Sequence, residues 1–486
     1  MSQSTLPLKK TKIVCTIGPA SNNQETLEQM IAAGMNIVRI NFAHGDFDSH
    51  RHTIATVRAA AAARGTRVAI MGDLPGPKMR IGKLAHEPIE LVRGQSFIIQ
   101  TEDVAGTLGR VSINLPGLPR VVRPGDRIFI NDGMVQVTVI EVKGDEVHTE
   151  VRAGGELRSH KGVNFPGIDL GISAFTEEDR QFLAFAAEEK LDAISQSFVQ
   201  DDRDIGAVRD AAKELDYHPL IIAKLERAKA LENLDAILAG ADGIMVARGD
   251  LGVEVPIEEI AIIQKDMIFR ANLAGKPVIT ATHMLESMTI HSRPTRAEAT
   301  DVANAILDGT DCLMLSGETA IGQYPVESVQ MMADIAKYTE TNRPRNMVAD
   351  LLEEAMNKDE QIDQRDLLAV SINSAVRKLR PAIVFAPTVS GETARRVARF
   401  HLPIWIVAAS PYEATAQRLQ FTYGVCPEYL PMRPDNWEMY VRNWVQRNAV
   451  AGDLALLTRG ASAHHRFGAN ILELIDLDTT TIDPLW

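Results

Sequence analysis

Lys224 and Glu226 stand two residues apart at the end of the apolar run in IIAKLE, and Asp250 follows in ARGDLG. If the run is a strand, its period of two turns both side chains to one side, next to buried neighbours. A structural ion pair is one reading of the couple. Desolvation offsets much of the Coulomb gain of a buried pair, which leaves a chemical reading open beside it. Two carboxylates from neighbouring strands, with a lysine between them, suit a hard divalent cation such as Mg²⁺, with Mn²⁺ as the alternative. Such a cation completes its shell with waters and substrate oxygens. Asp250 is followed by a helix-like stretch whose free N–H groups would receive an anion. Together these features describe a clamp for a phosphoryl or carboxylate group.

A second charged segment, GDLPGPKMR at 72–80, places Asp73, Lys78 and Arg80 where the chain leaves the apolar run RVAI. Positioning such groups requires a scaffold, and the chain repeats one. Short apolar strands ending in polar residues (KIVCTIG, NIVRINF, RVAIMGD, DAISQSFV, LIIAKLE, GIMVARGD, PVITATH and CLMLSGE) alternate with helix-period segments such as QETLEQMIAA. Eight such units predict an α/β fold, a closed parallel (β/α)₈ barrel, whose reacting groups collect at the C-terminal strand ends. Read as a set, those ends carry Arg39, Asn41, Asp73, Ser197, Lys224, Glu226, Arg248, Asp250, Thr280, Thr282, Ser316 and Glu318. Any one of them is more often a cap than a catalyst; acids and cations mixed at one barrel mouth are informative.

The rhythm breaks once, at 75–170, where alternating segments such as DRIFINDGMVQVTVIEV with hairpin signals predict an inserted antiparallel β-barrel domain. The barrel halves are then 1–74 and 171–345. A polar stretch beginning NRPRNMVADLL reads as a linker into a C-terminal α/β domain over 346–486. There, APTVSGETARRVARF runs from strand through a hydroxyl-rich turn to a helix. This turn either cradles a phosphate with Thr388, Ser390, Gly391 and Thr393 or simply caps the helix.

With a net charge of −13 over 486 residues, nucleic acid and anionic membranes are poor partners. Three widely spaced cysteines without a CxxC pair fit a reducing compartment, and no run approaches a membrane span, so a cytoplasmic protein is expected.

The segments TKIVCTIGPAS, NIVRINFAHG, KGVNFPG, AKLERA, DGIMVARGDLGVE, TATHMLESM and RPTRAEATDVANAILDGTDCLMLSGETA resemble, in order over residues 11–335, the signatures of the pyruvate kinase family. The resemblance implies phosphoryl transfer from phosphoenolpyruvate to ADP, giving ATP, with Glu226 and Asp250 holding the metal. Lys224 and Arg39 would lie against the phosphoryl group. The amides around Ala247, Arg248, Gly249 and Asp250 would take the substrate carboxylate, and Thr282, through water, would relay the proton. Asn41, His44, Arg80 and Lys161 would reach phosphates or nucleotide, Lys161 from a closing lid formed by the inserted domain. The resemblance also implies a homotetramer and favours a phosphorylated sugar as effector at the C-terminal turn. Val389, neither cationic nor acidic, argues against assuming a bisphosphate mode there.

In K⁺-requiring relatives the ion sits among an Asn, a Ser, an Asp and the following carbonyl, with an acid a few residues on. Here Asn41, Ala43, Asp73, Leu74 and Lys78 match those positions, so a hydroxyl ligand is missing and the acid has become a cation. The chain therefore resembles the K⁺-independent subgroup, with Lys78 and Asp73 substituting for the ion. His283 stands where a glutamine is common; it either joins the relay or is structural. Two other readings are a Schiff-base aldolase using Lys224 and a silent metabolite-binding protein. The acid pair Glu226 and Asp250 argues against the first, and the complete set with Lys224, Arg39 and Thr282 against the second.

Overall fold

The computed structural model describes residues 6–343, 347–357, 363–459 and 471–478. Eight parallel strands, β1 (Lys12–Thr16), β2 (Ile37–Asn41), β3 (Ala69–Leu74), β4 (Ala193–Gln196), β5 (Leu220–Leu225), β6 (Gly243–Ala247), β7 (Val278–Ala281) and β8 (Cys312–Leu315), close into a barrel in chain order, β8 pairing with β1. These strands are buried along their whole length apart from Arg39 and Asn41 of β2. Burial on both faces is why they read as near-continuous apolar runs. Val14, Met71, Ile222, Met245 and Met314 pack together in one cluster, whereas their strand neighbours Ile13, Ile70, Ile221 and Ile244 belong to another that includes helix residues such as Leu27 and Val208.

The helices around the barrel begin on local chemistry. Capping boxes at Asp46 with Ser49, Thr176 with Asp179, Asp201 with Asp204 and Thr295 with Glu298 satisfy the first free N–H groups of four of them. Asp179 also accepts the Gly76 N–H at 3.0 Å, tying the chain to the barrel where it leaves β3.

Between β3 and β4 lies a six-stranded sheet. It is antiparallel except for one parallel pair, Ser96–Gln100 with Arg110–Ser112. Its two edges are joined by residues 80 and 81: Arg80 bridges Gly162 on one side and Ile81 bridges Ile113 on the other. This short segment closes the sheet into a barrel around a core of its own, including Phe97, Ile128, Val137 and Phe165. The parallel pair departs from the all-antiparallel expectation because residues 101–109 carry the chain back before it pairs again.

The C-terminal unit is a five-stranded sheet of β9 (Ile383–Phe385), β10 (Trp405–Ser410), β11 (Val425–Tyr429), β12 (Leu454–Arg459) and β13 (Ile471–Asp476), with only β13 antiparallel. The expected linker is different in part. Met347–Asn357 is a helix, and its Val348, Ala349 and Leu352 are buried in the core of this unit. Its acids and polar residues masked an apolar stripe at helical spacing.

Candidate active site

The barrel mouth is organised around one carboxylate. Asp73, at the end of β3, lies in register between Asn41 of β2 and Ser195 of β4. It is 2 % exposed. One oxygen accepts the Ser195 hydroxyl at 2.6 Å. The other accepts Arg39 Nε at 2.9 Å and a second Arg39 nitrogen, and lies 3.5 Å from the Lys224 ammonium. Arg39 also donates to the Thr16 hydroxyl at 3.0 Å. Burial alone would push the Asp73 carboxyl up. The Arg39 guanidinium, the Lys224 ammonium and the Ser195 hydroxyl outweigh it and bring it down to about 2.

Lys224 is shared. Its ammonium donates to Ser197 Oγ at 2.7 Å and pairs with Glu226 at 2.8 Å. Burial works against its charge, but Asp73 and Glu226 hold its pKa above the ordinary lysine value, so it stays an ammonium. The second Glu226 oxygen accepts the Phe198 N–H at 2.8 Å, from a residue in the left-handed region (φ 58°).

Asp250 lies in the first turn of the helix Arg248–Glu254, directly after β6. Burial first, then the Glu226 carboxylate and Asp132 of the inserted domain, push its carboxyl up to about 7, against the pull of Lys224 and Lys78. Its side chain makes no hydrogen bond among the described residues, and no group of three or more His, Cys, Asp or Glu side chains there is arranged as a metal cage. Two hard oxygen donors, one without a hydrogen-bond partner, fit a Mg²⁺-type ion that takes its other ligands from water and substrate.

A cationic group faces this pair. Burial, then Lys224 and Arg80, lower the Lys78 pKa, while Asp73 opposes the shift. No ion pair within 4 Å joins Lys78 to Asp73, whose oxygens are taken by the other donors. His44, although exposed, is held below its ordinary value by the partial burial of its ring and by Lys78, Arg80 and Arg39. Arg80 donates to the His160 carbonyl at 3.2 Å, and the backbone of Lys161 pairs with Ile81 beside it. Lys78 and Arg80 thus lie close to other cations, which favours an incoming anion.

At the ARGD turn, the Gly249 N–H donates to the Thr282 hydroxyl at 2.7 Å, and that hydroxyl donates to the Ala281 carbonyl at 2.7 Å. One of the amides expected to receive a substrate carboxylate is thus engaged in this state. His283, exposed and at φ 53°, follows Thr282 at φ 65°. Two of the strand-end side chains do structural work: Thr280 bonds Thr310, and Glu318 accepts the N–H groups of Leu285 and Ser316. Sequence reading missed Thr16, Ser195 and Phe198. Ser195 carried a usable signal, because its register opposite Asp73 follows once β3 and β4 are paired.

The C-terminal turn is internally bonded. Thr388 Oγ1 accepts the Gly391 N–H at 2.9 Å, Ser390 Oγ accepts the Glu392 N–H at 3.4 Å, and Arg395 donates to the Ser390 carbonyl at 3.1 Å. Gly391 sits at φ 84°, and Thr393 lies in the first turn of the helix Glu392–Ala398.

Residues 8–329 match the pyruvate kinase barrel domain, and residues 366–475 the pyruvate kinase alpha/beta domain. The chain is 43 % identical over 472 residues to a pyruvate kinase of Thermococcus litoralis, covering 97 % of this chain and 99 % of that one. It is 41 % identical to a pyruvate kinase of Geobacillus stearothermophilus, covering 96 % of this chain and 80 % of the other. A crystal structure of a pyruvate kinase from Cryptosporidium parvum superposes with a TM-score of 0.89 at 35 % identity, over 97 % of each chain. The family match and these relatives make the chain a phosphotransferase. The chain belongs to the pyruvate kinase family.

Asp73→Asn removes the charge that Arg39 and Lys224 share, and breaking one partner from a buried pair costs about 3–5 kcal/mol. Because the folded pKa lies below the unfolded one, the carboxylate's contribution is complete above about pH 4 and is lost as pH falls through about 2. Denaturant unfolding of wild type and variant at pH 7 and at successively lower pH should therefore show a gap that narrows with acid. A gap independent of pH would contradict the electrostatic role.

Proposed function

We propose that this chain transfers the phosphoryl group of phosphoenolpyruvate to ADP, breaking the phosphorus bond to the enol oxygen and forming one to the nucleotide, with the enolate then protonated at its methylene carbon to give pyruvate. The observation that carries the reading is the division of charge at one mouth, with Arg39, Lys78, Arg80 and Lys224 facing Glu226 and Asp250. Phosphoryl transfer needs little covalent help from protein; positioning and countercharge supply most of the acceleration. Glu226 and Asp250 would hold Mg²⁺, or Mn²⁺ in its place, which when bound would supply positive charge against the phosphoryl oxygens.

Lys224 and Arg39 hold the transferred group, and Asp73 fixes both cations by taking their hydrogen bonds and charge. Asn41, His44, Arg80 and Lys161 serve the nucleotide phosphates, the last two from the inserted domain, whose closure would exclude water. The backbone at Ala247, Arg248, Gly249 and Asp250 receives the substrate carboxylate. Thr282 relays the proton. Lys78 beside Asp73 supplies the positive charge that K⁺ brings elsewhere, consistent with the electrostatic reach between Lys78, Asp73 and Lys224. The turn at Thr388, Ser390, Gly391 and Thr393 takes a sugar phosphate, and the enzyme acts as a homotetramer in the cytoplasm. Among the described residues no helix is long and apolar enough to cross a membrane.

Lys224→Met should lower turnover of phosphoenolpyruvate and ADP, in a coupled lactate dehydrogenase assay with Mg²⁺, by at least about 10²–10³-fold, the effect of losing one electrostatic donor. Near-normal turnover would defeat the assignment. Wild-type rates should be alike in tetramethylammonium chloride and KCl at equal ionic strength. Two unit charges about 4 Å apart interact by about 4 kcal/mol at an effective dielectric near 20, enough for Lys78 to replace and repel the ion. Lys78→Glu with Ala43→Ser should create K⁺ activation, and strong activation of the wild type would refute the substitution. Glucose 6-phosphate, ribose 5-phosphate or fructose bisphosphate should shift phosphoenolpyruvate saturation by a coupling of about 1–3 kcal/mol. The response should vanish in Ser390→Ala with Thr393→Ala; an unchanged response would remove the effector site.

A further inference from the structure

Thr282 is held in a conformation its own chemistry disfavours. It is β-branched yet has φ 65°, and His283 after it has φ 53°. A β-branched residue there is a genuine outlier that persists only where its surroundings over-determine it, whereas histidine tolerates the region better. Here one side chain supplies most of the hydrogen bonds to the turn's carbonyls. Arg248 donates from Nε to the Ala281 carbonyl at 3.2 Å and from Nη2 to the Thr282 carbonyl at 2.8 Å, with the same Nη2 lying 2.7 Å from Met284 Sδ. A single planar guanidinium thus spans the turn 281–284.

The guanidinium is itself anchored from outside the mouth. Its Nη1 donates to Asp301 Oδ1 at 2.7 Å, lies 2.6 Å from Oδ2, and is 3.4 Å from Gln264 Oε1. Asp301 belongs to the helix Arg296–Asp308. The start of that helix is fastened to the same turn region, because its Glu298 accepts the Ser287 N–H at 2.7 Å and also the Ser287 hydroxyl. On the other side of the turn, the Thr282 hydroxyl donates to the carbonyl that Arg248 Nε occupies and accepts the Gly249 N–H. Arg248 and the Thr282 hydroxyl therefore share one acceptor.

We propose that Asp301, acting through Arg248, is a positioning residue for the protonation half of the reaction, distinct from the residues that hold the phosphoryl group. This rests on the reading that Thr282 relays the proton to the enolate carbon. The clamp fixes the direction of the hydroxyl, and the guanidinium weakens the Ala281 carbonyl as a competing acceptor of its proton. Asp73, Arg39 and Lys224 form no bond to this clamp, so the two halves of the reaction are separable at Asp301.

The test compares two partial reactions in the full-length enzyme: ATP formed in a rapid-quench single turnover of phosphoenolpyruvate and ADP, and wash-in of deuterium at the pyruvate methyl group in D₂O with ATP and Mg²⁺. Asp301→Asn should slow the exchange by about 10- to 100-fold, the scale of a misplaced reacting group. Single-turnover ATP formation should stay within about threefold, and the solvent isotope effect on steady-state turnover should rise as protonation becomes limiting. Asp301→Glu, which keeps the ion pair, should recover most of the exchange. Arg248→Lys, which cannot span two carbonyls, should slow the exchange at least as much as Asp301→Asn. Exchange unchanged in Asp301→Asn, exchange and ATP formation falling in parallel with a constant isotope effect, or no recovery in Asp301→Glu would overturn the proposal. Unfolding of both Asp301→Asn and Arg248→Lys would also overturn it, by making the clamp a stability element. A wild type that forms no ATP would instead defeat the underlying phosphotransferase reading.

Discussion

A buried carboxylate with no access to water has to be surrounded by donors, and at the barrel mouth that requirement falls on Asp73. Its two oxygens collect Arg39 from β2, Ser195 from β4 and Lys224 from β5. A shift of any of these strands by one residue would turn its side chain to the other face and leave the acid unpaired. The site therefore exists only when the barrel is closed in this register. The cost of burying one charge is what makes the alignment of four strands mandatory.

This arrangement separates two electrostatic tasks. Lys224 is kept charged by Asp73 and Glu226, whereas Lys78 and His44 are pushed toward neutrality by burial and by one another's neighbours. Asp250 is pushed the opposite way, toward protonation, by burial and Glu226. The mouth is thus short of anion on one side and of cation on the other. A metal and a phosphoryl group would relieve both deficits together, which the neighbouring protein charges offset only in part. That is the mark of a surface arranged for ligands rather than for its own stability.

The barrel was legible because its strands are buried on both faces and its helices carry ordinary caps, so periodicity and punctuation agreed. The helix Met347–Asn357 was not, because its buried Val348, Ala349 and Leu352 are spaced among acids that look like linker composition. Within the candidate site, the pairing of Lys224 with Glu226 was legible from their spacing, and the nearness of Arg39, Asp73 and Asp250 from their places at strand ends. Ser195 and Thr16 escaped because a hydroxyl inside a strand carries no signal until the partner strand is known. The bond from Gly249 to Thr282 escaped for a related reason. It depends on a left-handed threonine, which no local propensity predicts.

The junction with the inserted domain has a further consequence. Gly76, in the left-handed region at φ 63° and bonded to Asp179, lies so near the returning chain that a Cβ placed on it would stand 3.3 Å from the Ala174 carbonyl oxygen. The outgoing and returning segments of the chain therefore run side by side at the end of β3, outside the closed barrel wall. Topologically the domain is a loop whose ends already meet, so its length and content are invisible to the barrel's connectivity. A module attached in this way can change in length or content without altering the order in which the barrel strands pair.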